Sequence, residues 1–323
     1  MNSRKKIWDV VVVGDLFMDT VMSGFDAFPK LGEEGFAKTL RQEIGGGAAI
    51  TSCGLARLGF QVAVLGVVGR DDGLWICKRL IAQGVNASAL EHHPTEPSGV
   101  TVSVSTAEDR SFFTYYGANE RLPNLLNNPD ARRLMTNARH VHFACGPDPV
   151  LHAGLFPELH RAGCKISIDV GWHESWLTDP DHEIILRETD LFFPNEREAA
   201  LMTGRADPEE MLRALSRKGA RNIALKLGAK GALLCWGGKM IRCPPFPVDP
   251  VDTTGAGDCF DAGFIYAWLN SEKLNSEKLN SESPEQCLRT GAVCGALSTR
   301  GLGGIATFPL LEELDEALET VRS

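Results

Sequence analysis

Asp252-Thr253-Thr254-Gly255-Ala256-Gly257-Asp258 puts an anion cradle beside a carboxylate. The glycines flanking Ala256 let backbone N–H groups approach a phosphate closely. The residues that follow carry Phe260, Phe264, Ala267 and Trp268 at helical spacing, so the cradle sits where a helix begins. Unpaired amides and the helix dipole favour an anion there. Asp258 stands at the same turn, where a carboxylate suits proton removal from an alcohol attacking a phosphoryl group. A plainer reading makes Asp258 a first-turn acid that complements the dipole.

Outward from this turn, β-rich apolar runs alternate with helical patterns. Strands are expected at 10–13, 61–68, 141–144, 165–170, 191–193 and Ile223–Lys226, and helices at 47–58, 75–83, 151–162, Glu196–Thr203 and 208–218. The alternation implies βαβ units and a mostly parallel sheet covered on both faces. Two stretches break the rhythm. Residues 16–44 and 97–118 read as short extended pieces with turns, and residues 99–105 alternate with period two. Together they predict a small β-sheet growing out of the main body, placed to cover a substrate as a lid. A merely decorative hairpin fits the same pattern. Residues 269–283 repeat LNSEK-LNSEK-LNSES, a five-residue period that suits neither helix nor strand and predicts a polar surface connection between two helices.

The 323 residues are ample for a buried core, and 23% charged with 43% hydrophobic residues is ordinary for a soluble enzyme. A net charge of −9 argues against a nucleic-acid or anionic-membrane partner. The nine cysteines are scattered, odd in number and without a C-x-x-C pair, which favours reduced thiols over a zinc site or disulfide frame. The basic start runs directly into the strand-like 7–13, with no small-residue cleavage site. No apolar stretch approaches the length of a membrane span. A cytoplasmic protein is expected.

Four motifs in order make the chain resemble the ribokinase family of carbohydrate kinases, also called the pfkB family. Gly45-Gly46-Gly47-Ala48-Ala49 resembles the glycine pair that opens that family's first long helix, and residues 252–258 resemble its D-T-x-G-A-G-D signature. Pro194-Asn195-Glu196-Arg197-Glu198 is similar to its P-N-x-x-E motif, and Leu227-Gly228-Ala229-Lys230-Gly231 to its nucleotide-side loop. The resemblance spans nearly the whole length. It implies one domain over 1–323, with a ribokinase-like three-layer α/β/α fold, a mostly parallel central sheet, and a small β-sheet lid from 16–44 and 97–118. Rival phosphate sites fail on residues. There is no G-x-x-x-x-G-K-[ST], and residues 45–50 lack the third glycine of G-x-G-x-x-G behind a buried strand, which leaves a dinucleotide-dependent oxidoreductase in second place.

The resemblance implies ATP-dependent phosphoryl transfer to a primary hydroxyl, with Asp258 as base and the amides of Gly255, Ala256, Gly257 and Asp258 as the anion hole. It places Asn195 and Glu198 around Mg²⁺ through water. A helix-cap Asn with a capping-box Glu predicts the same N-x-x-E spacing, and both readings stand. Asp252, with carbonyls of 301–304, is implied to hold K⁺. Lys226, Thr254, Gly228 and Gly231 fall on the nucleotide side, with the small-residue helix 289–298 against the base. Asp15, Asp19, Gly46, Gly47, Asn119 and Asp169 are implied to meet the acceptor, with Asp19 the best match to the sugar-contacting Asp. Trp172, His173 and Trp176 either shape that pocket or pack. Asp261 reads as a dipole or surface residue. The resemblance implies a sugar or nucleoside as partner, an exposed β-lid could pair edges with a second subunit as a homodimer, and no nucleic acid or membrane is expected.

One departure matters. Ile50 stands where many members carry a sugar-contacting Asn, and Gly47 where ribokinases carry Lys. An Ile accepts no hydroxyl bond, so the acceptor is left open among sugars, sugar acids and nucleosides. A non-catalytic sugar- or nucleotide-binding regulator is the reading from a different class.

Overall fold

A computed structural model describes residues 6–106, 110–274 and 283–320. In chain order the strands are β1 (Trp8–Gly14), β2 (Phe17–Phe25), β3 (Thr39–Gly45), β4 (Val62–Leu65), β5 (Val67–Val68), β6 (Glu91–His92) and β7 (Gly99–Thr106). They continue with β8 (Arg110–Tyr115), β9 (Ala138–Ala144), β10 (Lys165–Ile168), β11 (Leu191–Phe192), β12 (Ile223–Lys226), β13 (Ala232–Trp236) and β14 (Lys239–Cys243). Eight of them form one sheet in the order β14-β13-β12-β11-β10-β9-β1-β4. Pairing is parallel from β4 to β12 and antiparallel from β12 through β14.

Val10, Val11, Val12 and Val13 have no exposed surface, as a strand covered on both faces requires. Their alternation feeds two cores. Val10 and Val12 pack with Ala48, Cys53, Phe264 and Leu288 of the helices Gly47–Arg57, Ala256–Leu274 and Ser283–Ser298. Val11 and Val13 pack with Phe156, Leu186 and Leu212 of Pro149–Arg161, His182–Glu188 and Pro208–Arg217. Helices on both faces of a mostly parallel sheet give three layers, α/β/α.

The irregular stretches form a second sheet in the order β3-β2-β7-β8, in which β2 and β7 run parallel and the outer pairs antiparallel. Its strands fall inside the expected 16–44 and 97–118, except that β3 ends one residue later, at Gly45.

Several expectations need correction. The helix expected over 75–83 starts at Gly73 and ends at Ala82, and the strand expected over 61–68 is split into β4 and β5. The helices Leu122–Leu126, Pro129–Thr136, Glu174–Thr178 and His182–Glu188 were not foreseen, nor was the β13–β14 hairpin. The repeat is not a loop from its first residue. The helix Ala256–Leu274 runs through its opening unit, with Leu269 fully buried, because Trp268 and Leu269 extend the apolar stripe. Residues 275–282 of the repeat lie outside the described residues.

Candidate active site

Residues 253–258 form a partition between two cavities. The larger, about 970 Å³, is lined by Asp15 after β1, Gly47 at the start of its helix, Tyr116 after β8, Asp169 after β10, and Asp258. The smaller, about 450 Å³, is lined by Lys226, Gly228 and Gly231 around the end of β12, by Thr253, Ala256 and Gly257, and by Ala292, Gly295 and Ala296. The ends of parallel strands deliver Asp15, Asp169 and Lys226 to one edge of the sheet, where α/β folds bind ligands.

The partition is held from behind. Gly255 takes φ +71°, and a Cβ there would stand 2.8 Å from Ile50 Cδ1 and 2.9 Å from Gly304 Cα. Ile50, 4% exposed, is therefore the apolar filler between the turn and 301–304. Asp252 fastens the turn at its other end. Its Oδ1 accepts from the Thr254 amide (2.9 Å) and hydroxyl (2.7 Å), and its Oδ2 from the Gly303 amide (3.0 Å). Thr254 thus serves Asp252, while Thr253 is the residue that lines the smaller cavity. Of the four amides expected in the anion hole, that of Ala256 is directed at the Thr253 carbonyl at 3.3 Å.

Lys226 is the centre of the charge arrangement. Its Nζ lies 2.6 Å from Asp169 Oδ2 and 3.2 Å from Asp261 Oδ1. Asp261 has no exposed surface, which corrects its reading as a dipole or surface residue: a lysine from β12 turns it into a buried partner. Burial holds Asp261 well above the ordinary carboxylate value despite Lys226, which favours its protonated form bonded to Asp169. Burial also opposes charge on Asp169 and on Lys226, yet their mutual attraction wins, keeping the first low and the second high. The result is one ion pair with a neutral acid beside it. Beneath it, burial pushes His142 down to about 4, so this imidazole is neutral and shares Ser167 Oγ (2.8 Å) with His140 (2.7 Å).

Asp258 feels this cluster. Oxygens of Asp169, Asp258 and Asp261 lie within 4.8 Å of one another. Burial, with the Asp169 carboxylate adding to it, pushes Asp258 up to about 7 against the pull of Lys226. A carboxyl that titrates near neutrality is matched to general base work.

Asn195 and Glu198 form the full capping box of Glu196–Thr203. The Glu198 amide donates to Asn195 Oδ1 (3.0 Å), the Asn195 amide donates to Glu198 Oε2 (2.9 Å), and Asn195 Nδ2 donates to Glu198 Oε1. Glu198 is 3% exposed, and burial plus the Asp169 charge pushes it up to about 7.

On the acceptor side, Tyr116 donates its hydroxyl to Asp15 Oδ2, and burial pushes Asp15 up to about 6 against that bond. This pair went unforeseen, since β7 and β8 had to form before Tyr116 could face β1. Asp19 does not line the larger cavity. It lies within β2 opposite Glu43, and burial and the Asp252 charge push it up to about 6. Asn119, 1% exposed, donates both amide hydrogens to the Leu16 and Tyr116 carbonyls and accepts from the Leu16 amide, each at 3.0 Å. It ties the exits of β1 and β8 together. Gly46 is the helix N-cap at φ +89°. Trp172 and His173 line the larger cavity, whereas Trp176 is buried and donates to the Pro147 carbonyl at 3.0 Å.

Comparison with known proteins bears on this geometry. The pfkB family carbohydrate kinase model matches residues 9–310. The chain is 30% identical to 2-dehydro-3-deoxygluconokinase of Bacillus subtilis (strain 168), covering 88% of this chain and 89% of that protein. It is 27% identical to deoxyribokinase of Salmonella typhi, covering 96% and 98%. The solved structure of Arabidopsis thaliana ribokinase complexed with ribose and ATP superposes with a TM-score of 0.83 at 27% identity, covering 97% of this chain and 99% of that one.

Proposed function

Because the chain belongs to the pfkB family of carbohydrate kinases, we propose that it transfers the γ-phosphoryl group of ATP to a primary hydroxyl of a sugar or sugar-like acceptor, with Asp258 as the base. The observation that carries this reading is the partition: Asp258 faces one cavity while Thr253, Ala256 and Gly257 of the same turn face the other. An acceptor hydroxyl and a phosphoryl donor on opposite sides of one turn can meet in line across it. The Arabidopsis relative's complex with ribose and ATP supports the two kinds of ligand.

In this reading Asp258 takes the hydroxyl proton, and the amides of Gly255, Gly257 and its own hold the phosphoryl oxygens as charge shifts. One such donor contributes on the order of 3 kcal/mol in the transition state. Asp15, fixed by Tyr116, accepts bonds from the acceptor's other hydroxyls, and the small sheet acts as the lid of a single domain. The 970 Å³ of the larger cavity also admits a nucleoside, which keeps that acceptor beside the sugars.

Glu198 fits a hydrated divalent ion. Its buried carboxyl, held high by burial and by Asp169, gains from any cation placed near it, and spare lone pairs on Glu198 and Asn195 suit water-mediated contact. Mg²⁺ there supplies charge neutralisation on the nucleotide phosphates. Asp252 and 301–304, joined through the Gly303 amide, are the place for K⁺. None of the nine cysteines forms a disulfide, which supports a reducing, cytoplasmic setting. Exposed Phe28 and Phe113, whose rings stack with centroids 6.4 Å apart, offer an apolar surface for a homodimer through the lid.

The test is acceptor-dependent ADP release with ATP and Mg²⁺ over a panel of sugars, sugar acids and nucleosides. Turnover with any member supports the kinase. Binding of nucleotide and acceptor without turnover across the whole panel points to the regulator instead.

A further inference from the structure

Five carboxylates line the larger cavity, those of Asp15, Glu120, Asp148, Asp169 and Asp258, and among the described residues no lysine or arginine lines it. Three cations near it have partners of their own. Lys226 lies 2.6 Å from Asp169 and 3.2 Å from Asp261. Arg121 pairs with Glu91 at 2.6 Å, and Arg197 stacks on the Trp172 ring at 4.9 Å. Of the five carboxylates, Asp169 is matched by a cation. Asp15 has the Tyr116 hydroxyl, and Asp148 has the amides of Val150 (2.8 Å) and Leu151 (3.0 Å), which are neutral partners rather than cations.

Carboxylates accept hydrogen bonds from hydroxyls and offer nothing to another anion. A carboxylate or phosphate on the acceptor would enter a negative cleft, partly shielded from water, with no lysine or arginine among the described residues lining it. Like-charge juxtaposition in such a place is strongly unfavourable. We propose that this cavity selects an uncharged acceptor, a sugar or nucleoside, and rejects sugar acids and sugar phosphates, with Glu120 and Asp148 as the outer members of the selecting set. The inference rests on the kinase reading above and narrows its acceptor. It also separates this chain from its Bacillus relative, whose name carries a sugar acid.

The experiment measures two things on the full chain: ADP release with ATP and Mg²⁺, and calorimetric binding without ATP. The uncharged panel is D-ribose, 2-deoxy-D-ribose, D-fructose, adenosine and inosine. The anionic panel is 2-dehydro-3-deoxygluconate, D-gluconate and fructose 6-phosphate. The best uncharged acceptor should exceed every anionic one by at least about 100-fold in kcat/KM. The double substitution Glu120→Gln with Asp148→Asn, in which Asn preserves the helix cap, should narrow that ratio by at least about threefold. An anionic acceptor as good as the best uncharged one overturns the proposal, as does a ratio unmoved by the double substitution. If no acceptor supports ADP release, the kinase reading fails and calorimetry decides this one. Tighter binding of uncharged compounds sustains it, and tighter anionic binding, or no uncharged binding, overturns it.

Discussion

Gly47 faces Asp258 so closely that a Cβ on Gly47 would stand 2.9 Å from Asp258 Oδ1 and 3.1 Å from Ala144 Cβ. The first long helix therefore begins with the one residue that leaves the carboxylate its place. A lysine there, as in ribokinases by the resemblance above, would need a different approach of helix and turn.

Gly47→Ala should hurt catalysis and spare the fold. Alanine suits a helix better than glycine, but its Cβ crowds Ala144 Cβ at 3.1 Å, so the thermal midpoint should move by no more than the equivalent of about 1 kcal/mol either way. The displaced carboxylate should lower kcat by about 10- to 100-fold, since a shift near 1 Å at a reacting group has that effect. Steady-state rates and a melting curve on the same sample check both halves.

The pH profile follows from Asp258 held at about 7. A base must be ionised, so kcat/KM should rise with pH and level off above an apparent value near 7, which it shares with Glu198 through their common neighbour Asp169. Stability has the opposite slope. Asp15, Asp19, Glu198 and Asp258 are all held above their ordinary values, so each contributes most below about pH 4, and that contribution is lost as pH rises through 6 to 7. Glu198→Gln should therefore lower the slope of melting temperature against pH between 4 and 8. An unchanged slope contradicts the charge picture.

Lys226→Met should be the most destabilising of the substitutions considered. It leaves Asp169, 7% exposed, without its counter-ion, and breaking a buried pair costs about 3–5 kcal/mol. Asp261→Asn should cost less, because burial favours the neutral form of Asp261. Urea midpoints for the two variants should fall in that order.

Ile50→Asn tests why the residue is apolar. An amide between Gly255 and Gly304 finds little to bond, and a buried polar group left unpaired costs about 1–3 kcal/mol. The variant should lose stability and gain no ribose turnover. Improved ribose kinetics would mean that the side chain reaches the acceptor.

What was legible in the sequence was local. Residues 252–258, the Asn195–Glu198 spacing and the strand–helix alternation each carry their signal within a turn or two, and the structure brings Asp15, Asp169, Gly47 and Asp258 to one cavity. What escaped notice depends on distant approach. Asp261 looks like surface until Lys226 arrives from β12, and Ile50 looks like a missing contact until 301–304 packs behind it. One missed helix, Pro129–Thr136, did have a local signal. Asn128-Pro129 and Asn195-Glu196 are the same cap chemistry, and Asn128 Oδ1 accepts from the Asp130 amide at 2.9 Å. The β13–β14 hairpin, with Gly237 and Gly238 between its strands, carried a turn signal that a search for parallel units passes over.

The central claim is that Asp258 takes the acceptor's proton. The most direct measurement is kcat for Asp258→Asn on the best acceptor, with acceptor and ATP affinities measured alongside. The account predicts a fall in kcat of about 10²- to 10⁴-fold with both affinities nearly unchanged. Turnover within a few-fold of the unsubstituted protein would contradict it.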